Sequence, residues 1–312
     1  MIKVSRYTRE KRECWDRFVL ESKNATFLLL RDYLDYHSTR FIDHSLLVHD
    51  AKGTLLALLP ANQNDGTLQS HGGLTYGGII SAASMTTPTM LAVFDAVVLY
   101  LRGQDIKRLA YKTIPSIYHR YPAEEDRYAL FRLDAHLTRR DVLSVIAQES
   151  RLPYQKRRRR KIAQAGKLTL EIRTADDYGP FWAILEENLI AAHSARPVHT
   201  LDEIRMLAQR FPQNIRLHIC LEDNNVVAGV VVFDTGRVAH MQYISTSERG
   251  RDIGALDLLF ATLIERDYAS RAWFDFGISN EDNGRYLNVG LIEQKEGFGA
   301  RTVVHDFYEL TI

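Results

Sequence analysis

A segment in the last quarter of the chain restricts the fold more than any other. A predicted strand ends near Thr246, a turn with Arg249, Gly250 and Gly254 follows, and a predicted helix comes next. The N–H groups at the start of a helix have no partner inside the helix and lie at the positive end of its dipole. A glycine-bearing turn of this kind can therefore bind a phosphate through its backbone. We expect an α/β fold with an anion-binding turn at this position.

The segments on both sides of the turn predict an alternation of strands and helices. Apolar runs between turn residues indicate strands at 168–172, 216–221, 226–233, 238–244 and 273–277, and a last strand after residue 300. Helical spacing and capping residues indicate helices at 176–189, 200–211 and 253–268, and one more helix that carries Tyr286 and Lys295. The second half is therefore predicted as a mixed α/β domain.

The first half repeats this order of elements without repeating its residues. We predict a helix at 9–21, strands near 45–48, 55–59 and 74–80, a helix near 88–101 and a strand near 108–111. The pattern predicts two similar units in tandem. The predicted limits are 1–150 for an N-terminal domain, 151–166 for a basic linker or helix, and 167–312 for a C-terminal domain.

The predicted linker contains a run of six consecutive Lys and Arg residues, from Lys156 to Lys161. A solvated helix face is the ordinary interpretation of such a run, and contact with the phosphates of a nucleotide-sugar is the alternative. Nucleic-acid binding ranks third, because a net charge of +1 does not indicate a broadly basic surface. We therefore predict no nucleic-acid partner.

From about Lys167 to Ile312 the order of elements resembles the GNAT acyltransferase fold. The family pattern R/Q-x-x-G-x-G/A places Arg249 first and Gly254 last, and Asp252 stands where the first glycine belongs. The resemblance implies that the turn holds the pyrophosphate of coenzyme A.

Three blocks near the C-terminus are similar to the FemAB-related branch of that superfamily, in particular to bacterial amino-sugar N-acyltransferases of surface-polysaccharide synthesis. These blocks are Asp275–Gly277, Tyr286–Asn288 and Lys295–Ala300. Similar blocks in the first half are Thr26–Leu28, Tyr36–Phe41 and Ser70–Gly78. The resemblance then covers nearly the whole chain. It implies two GNAT-like domains in tandem, each with a mixed α/β sheet, and an active site between them.

The resemblance also implies an acyl-CoA donor, whose pantetheine arm lies where two central strands splay apart. The acceptor implied is a deoxy-amino sugar linked to dTDP or UDP, and no metal is expected. Its amine attacks the thioester directly, so a base must take the amine's proton and an N–H group must stabilise the oxyanion. The donor-binding residues implied are Tyr243, Ile244, Arg249, Gly250, Arg251, Ile253, Gly254, Asn280, Asn283 and Lys295.

Three residues are candidates for proton transfer. His199 lies in the link between two predicted helices, which in GNAT proteins commonly lines the acceptor site, and it is either the base or a helix-flanking cap. Asp275 lies between two phenylalanines, where a raised pKa would suit a base, and it is equally a buried hydrogen-bond acceptor. Tyr286 is either the group that protonates the departing thiolate or a packed aromatic residue. The acceptor-site candidates of the first half are His71, Tyr76, Lys112 and Tyr118.

Three other functions stay open. One is an aminoacyl transferase that uses charged transfer RNA, like the peptidoglycan-bridge members of the same branch. Another is a small-molecule or antibiotic N-acetyltransferase, for which the long first half would be unexplained. The last is a binding module that holds coenzyme A without turnover, which the departure at Asp252 keeps open.

Composition sets the remaining limits. A chain of 312 residues with 46% hydrophobic content can form two packed cores. No apolar run approaches the length of a membrane span and the N-terminal residues lack a signal-peptide core, so we expect a cytoplasmic protein. Cys14 and Cys220 lack metal-ligand spacing, and we expect both in the core, as suits a reducing compartment. The sequence leaves the oligomeric state open.

Overall fold

The computed structural model describes residues 2–193 and 195–312. The chain folds into two compact units. The first unit consists of Met1–Asp141, Asp282–Arg285 and Val304–Ile312, and the second of Val142–Glu281 and Tyr286–Val303. Both units combine helices with parallel and antiparallel strands, so the predicted mixed α/β class is confirmed.

Helices and strands alternate along most of the chain. The helices are α1 (Arg12–Glu21), α2 (Arg31–Leu34), α3 (Thr87–Gly103), α4 (Glu125–Arg132), α5 (Lys156–Ala165), α6 (Gly179–His193), α7 (Leu201–Arg210), α8 (Glu248–Ile253), α9 (Ala255–Thr262) and α10 (Val289–Glu296). The strands are β1 (Lys3–Arg6), β2 (Leu46–His49), β3 (Leu55–Leu59), β4 (Asn62–Asn64), β5 (Thr67–Gln69), β6 (Ile80–Ser81), β7 (Arg108–Lys112), β8 (His136–Ala147), β9 (Leu170–Ala175), β10 (Ile215–Glu222), β11 (Asn225–Asp234), β12 (Val238–Thr246), β13 (Trp273–Ile278), β14 (Asn280–Glu281), β15 (Tyr286–Leu287) and β16 (Arg301–Thr311).

The first unit contains two groups of paired strands. Strands β1, β2, β3 and β6 form an antiparallel sheet in that order. In the other group β4 pairs antiparallel with β5, β5 pairs in parallel with β7, and β7 pairs antiparallel with the end of β16. Helix α3 contributes Val93, Phe94 and Val97 to a core that also contains Leu46 of β2 and Leu109 of β7. One helix therefore covers strands of both groups.

The strands of the second unit follow the order β8, β13, β12, β11, β10 and β9. Neighbours are antiparallel except β12 and β13, which are parallel. Helix α9 packs on α5 and on β11, over a core that contains Ala239, Phe274 and Phe276. Helix α6 packs against β11 and β12, and its Trp182 contacts Tyr243 edge to face.

Two helices begin where their sequence signals predict. The hydroxyl of Thr86 accepts a hydrogen bond from the N–H of Thr89 at the start of α3, and Pro88 occupies the first turn. At the start of α7, Thr200 and Glu203 form a complete capping box. The hairpin of β10 and β11 and the elements α1, β7, β12 and β13 also lie close to their predicted positions.

Other element predictions were wrong. Of the predicted strand at 74–80 only the short β6 exists, while β4, β5 and the long β8 were not predicted. The helix predicted from residue 176 begins at Gly179, whose N–H donates to the carboxylate of Asp177. The helix predicted at 253–268 does exist, as α9 and the π-helical turn Leu263–Asp267 that continues it, but the short α8 before it was not predicted as a separate helix. Gly254, with φ of +74°, separates α8 from α9. Tyr286 lies on β15 and not on a helix.

The predicted domain limits of 1–150, 151–166 and 167–312 stay a prediction. The compact units divide the chain at other positions. The segment 151–166 contains α5 and belongs to the second unit, and the last strand ends in the first unit. Cys220 is buried as expected, but Cys14 is exposed, because the residue lies on the solvent side of α1. In the described part of the chain no helix has the length and apolarity that a membrane crossing requires.

Candidate functional site

The two parallel strands of the second unit separate partway along their length. Strands β12 and β13 pair from Val238 opposite Trp273 to His240 opposite Asp275, and the pairing ends there. Strand β12 continues to Thr246 and stays paired with β11 on its other side. The backbone groups of β12 beyond His240 that face β13 are therefore outside the parallel ladder, and the two strands form an opening.

A capped helical turn follows β12 at the open end. The hydroxyl of Ser247 accepts a hydrogen bond from the N–H of Gly250 at 3.1 Å. A Cβ at Gly250 would lie 2.1 Å from the carbonyl oxygen of Val227, so only glycine fits against β11 here. Arg249 binds the carboxylate of Glu222 through two nitrogens, at 2.7 and 2.6 Å, on the surface. The predicted anion-binding turn is thus the helix α8.

A cavity of about 370 Å³ lies beside this turn in the second unit, and we call it the basic cavity. Arg157 and Lys161 of α5 and Arg251 of α8 line it, together with Thr246. None of the three cations has a carboxylate partner among residues 2–193 and 195–312. The predicted donor residue Gly250 also lines this cavity. The basic cavity therefore presents uncompensated positive charge.

Inside the basic cavity's wall, the α5 residue Arg158 forms a buried ion pair with Asp257 of α9 at 2.7 Å. This pair fixes α5 against α9, and it leaves the neighbouring Arg157 and Lys161 on the cavity side. Neighbouring residues of one basic run therefore have different environments. The sequence pattern, a plain run of Lys and Arg, did not distinguish these environments from a solvated helix face.

Two predicted residues of different roles meet on the α6 side of β12. His199 Nδ1 lies 2.6 Å from the hydroxyl oxygen of Tyr243, and the His199 N–H donates to the same oxygen at 3.2 Å. The capping box at Thr200 holds the residue before it in place at the start of α7. Both side chains are buried. His199 was predicted as a base and Tyr243 as a donor-binding residue, and they form one hydrogen-bonded pair.

Asp275 lies at the point where β12 and β13 separate. Its carboxylate accepts hydrogen bonds from the N–H of Gly277 at 2.7 Å and from His240 Nδ1 at 2.8 Å. Lys295 donates to the carbonyl oxygens of Gly277 and Ile278. Burial lowers the pKa of Lys295 to about 8, and the nearby Asp275 charge opposes that shift. Lys295 thus fixes the end of β13.

Sequence reasoning missed His240. The residue sits in a strand of mixed character and has no motif around it. Its role becomes visible through the parallel register, which places it directly opposite Asp275. Aligning the two strands as parallel neighbours would have indicated that His240 lies opposite Asp275.

The remaining predicted residues of the second half occupy separate environments. Ile244 and Ile253 are half-buried against the core of the second unit. Asn280 is buried, and its side-chain oxygen accepts a hydrogen bond from the N–H of Val142 at 2.7 Å. Asn283 is exposed, with φ of +49°, in the segment that belongs to the first unit. Tyr286 is 59% exposed.

Two acceptor-site candidates of the first unit lie in one loop structure. The Lys112 ammonium donates to the carbonyl oxygens of His71 at 3.1 Å and of Leu74 at 2.7 Å. Burial lowers the pKa of Lys112 to about 8. His71 adopts a left-handed conformation with φ of +58°, and its ring stacks on His37 with centroids 5.0 Å apart. Burial lowers the pKa of His71 to about 3.

The other two acceptor-site candidates are packed in the core of the first unit. Tyr76 shares a hydrogen bond of 2.7 Å with the hydroxyl of Thr26, and its ring centroid lies 4.6 Å from that of Tyr118. A cavity of about 590 Å³ in this unit is lined by Lys112 and Phe307, among others. The structure thus brings His71 and Lys112 together, whereas Tyr76 and Tyr118 do not line that cavity. Residues 2–193 and 195–312 contain no group of three or more His, Cys, Asp or Glu side chains arranged to hold a metal ion.

Comparison with known proteins is consistent with this architecture. Residues 152–286 match the family described as acetyltransferase (GNAT) domain. No curated protein matches the chain.

Solved structures match over nearly the full length. FemX has a TM-score of 0.68 at 11% identity, with 97% of this chain and 96% of FemX covered. The C-terminal domain of a putative lysylphosphatidylglycerol synthetase from Agrobacterium fabrum has a TM-score of 0.59 at 12% identity, with 97% of this chain and 92% of that chain covered. A tandem GNAT protein from the clavulanic acid biosynthesis pathway has a TM-score of 0.56 at 11% identity, with 100% and 98% covered. At these identities the likeness concerns the fold alone, and that fold is the tandem GNAT fold predicted from the sequence.

Proposed function

We propose that this protein is a GNAT-type N-acyltransferase that moves an acyl group from acyl-CoA to the amino group of a deoxy-amino sugar linked to dTDP or UDP. The observation that carries the proposal is the opening between β12 and β13 with the basic cavity at its end. Arg157, Lys161 and Arg251 lie within the segment that matches the GNAT domain.

The opening and the basic cavity suit two different parts of the donor. The pantetheine arm carries amide groups, which can pair with strand backbone groups that have no ladder partner. The diphosphate carries negative charge, which Arg157, Lys161 and Arg251 can compensate through charge-assisted hydrogen bonds. We therefore assign the donor to the second unit. Tyr286 keeps its proposed role as proton donor to the thiolate, since its exposed hydroxyl is accessible.

The acceptor assignment rests on the blocks of the first half that are similar to sugar-modifying proteins. Two of these blocks, far apart in sequence, meet in the first unit: His37 stacks on His71, and the Phe41 ring lies 5.4 Å from His71. Lys112 anchors the second block through the carbonyl oxygens of His71 and Leu74. A loop organised in this way supports an acceptor site, and we propose that His71 and Lys112 shape it.

The test is release of free thiol from a panel of acyl-CoA donors mixed with dTDP- and UDP-linked 3-amino and 4-amino deoxysugars. We expect release only when donor and acceptor are both present, with the acylated sugar nucleotide detected by mass spectrometry. Coenzyme A that binds without thiol release for any pair would instead support the binding module.

A second candidate is aminoacyl transfer from charged transfer RNA. The basic cavity favours it, because Arg157, Lys161 and Arg251 could equally contact nucleic-acid phosphates. The discriminating measurement supplies the same acceptors with transfer RNA that carries a radiolabelled amino acid. Label that appears in the acceptor, together with no use of acyl-CoA, would replace our proposal with this one.

A further inference from the structure

A histidine–carboxylate pair marks the point where β12 and β13 separate. His240 Nδ1 lies 2.8 Å from Oδ2 of Asp275, and these residues form the last pair of the parallel register. The side chain of Asp275 is 1% exposed and that of His240 is 13% exposed. No hydrogen-bond partner of His240 Nε2 occurs among residues 2–193 and 195–312. The pair therefore has a buried end and an open end.

The hydrogen-bond chemistry fixes the tautomer of His240. A carboxylate only accepts hydrogen bonds, so the Nδ1 of His240 carries the hydrogen that points at Asp275. The lone pair of a neutral imidazole then lies on Nε2, the nitrogen without a partner. The ring is thus held in the form that can accept a proton at its open end.

We propose that His240 is the catalytic base of the acyl transfer and that Asp275 is the positioning residue that orients its ring. This assignment rests on the proposed function. As the amine nitrogen attacks, a C–N bond forms and the C–S bond of the thioester breaks. The proton on that nitrogen passes to Nε2 of His240. The thiolate of coenzyme A leaves with the C–S electron pair and takes a proton from the hydroxyl of Tyr286. Tyr286 regains a proton from solvent, and the imidazolium returns one to solvent.

The groups around the pair suit this role. Lys295 of α10 lies near Asp275, and its ammonium balances a carboxylate that would otherwise be an isolated buried charge. On β11 the residue opposite His240 is Phe233, which carries no charge. The next titratable groups on this face are Tyr243 of β12 and His199, whose ring lies 6.5 Å from that of Phe233. Among the described residues, Asp275 is the charged group in direct contact with His240.

His199 is less suited to the same task. Its Nδ1 is engaged by the Tyr243 hydroxyl, its N–H binds the same oxygen, and only 5% of the residue is exposed. Its contacts hold the loop before α7 in place. His240 combines an oriented ring with an accessible nitrogen, and His199 shows only the first property.

The test uses His240→Asn in the full chain. The amide nitrogen of asparagine stands near the former Nδ1, so Asp275 keeps a donor while Nε2 is removed. We expect kcat to fall about 100-fold or more, with the affinity for coenzyme A and the acceptor KM changed less than threefold. His136→Asn is the matched control, because His136 is exposed on β8 and outside the site. It should keep the kcat of the original protein.

The pH profile separates a base from a structural residue. The base must be neutral, so kcat/KM of the unaltered protein should rise with pH along an acidic limb and then level off, and His240→Asn should lose that limb. Imidazole added to His240→Ala should restore part of the rate. An active protein whose His240→Asn variant keeps both its kcat and its acidic limb would overturn this assignment alone. A protein without turnover for any donor and acceptor would overturn the proposed function and this assignment with it.

Discussion

A methyl group at Gly250 would lie 2.1 Å from the carbonyl oxygen of Val227 and 2.4 Å from the hydroxyl of Thr246. Neither neighbour can move away easily. The Val227 carbonyl belongs to the backbone of β11, and the Thr246 hydroxyl donates a hydrogen bond to that same carbonyl. We predict that Gly250→Ala destabilises the protein by about 1–3 kcal/mol and weakens binding of coenzyme A. Thermal unfolding and calorimetric titration measure the two effects.

The control for this substitution is Gly103→Ala at the end of α3. A Cβ there meets nothing within 4 Å, so its Tm and its affinity for coenzyme A should match those of the original protein. A Gly250→Ala variant with unaltered affinity would place the diphosphate away from α8.

A buried histidine makes stability depend on pH in the first unit. Burial lowers the pKa of His71 to about 3, below the ordinary value of 6.5. Below pH 6.5 the unfolded chain therefore binds a proton that the folded protein does not, and stability falls as the pH falls toward 3. We predict that the stability of the original protein relative to His71→Asn declines by about 1.4 kcal/mol per pH unit below 6.5.

Urea unfolding of both proteins at pH 7 and pH 5 measures this difference. Asparagine tolerates the left-handed conformation at position 71, so the substitution removes the titrating group without adding backbone strain. Other buried histidines, such as His218 and His305, are common to both proteins and cancel. An equal loss of stability in the two proteins would mean that His71 is not the group responsible.

Helix α5 shows how one element divides its charges between two tasks. Arg158 pairs with Asp257 in the wall of the basic cavity, whereas Arg157 and Lys161 line the cavity without a carboxylate partner in the described part of the chain. We predict that replacing Arg157 and Lys161 together by serine raises the Kd for coenzyme A about tenfold, which corresponds to 1.4 kcal/mol. The effect should shrink at high salt, where exposed charges are screened.

The same helix supplies a matched control. Arg159 and Arg160 are exposed and do not line the basic cavity, so the double serine variant at these positions has the same loss of charge. Its affinity for coenzyme A should stay within about twofold of the original, as expected for surface charges. Equal weakening in both double variants would indicate a general electrostatic effect in place of a specific site.

The elements differed in how well local sequence predicted them. The hairpin of β10 and β11 and the capped α7 follow signals that lie within a few residues, and both were predicted. Strand β8 was missed because its first half is polar and mostly exposed, so its apolar run begins only near Val142. The site shows the same division, because His199 was found from its position in the link between two locally predicted helices. His240 was missed because its role depends on the parallel pairing with Asp275, which is 35 residues later in the sequence, and hydrophobic periodicity gives no information on such a pairing.

At the scale of the whole molecule, the order of elements predicted two units but not how the chain is shared between them. The chain leaves the first unit after Asp141, returns for Asp282–Arg285, and returns again at Val304. The final return pairs Phe307–Thr311 with β7, nearly 200 residues earlier in the sequence. Contacts of that separation leave no local pattern, so sequence reasoning placed the limit near the basic run.

This shared path predicts the effect of a truncation. Removing Val304–Ile312 takes away the partner of β7 and the buried Leu310 from the core of the first unit. We predict that backbone amides of β7 then exchange hydrogen much faster, while those of β10 and β11 in the second unit keep their protection. Hydrogen exchange read by mass spectrometry measures this, with a chain that lacks only Ile312 as the control. Unchanged protection of β7 would contradict the pairing.

The late return of the chain also affects how the protein is made on the ribosome. About 160 residues lie between Asp141 and Val304, so at about 5–20 residues per second they take roughly 8–30 s to synthesise. During that time β7 has its parallel neighbour β5 but lacks the strand that covers its other edge. An uncovered strand edge pairs readily with other chains. The nascent protein therefore passes through an interval of aggregation risk that ends only when β16 has emerged and paired with β7.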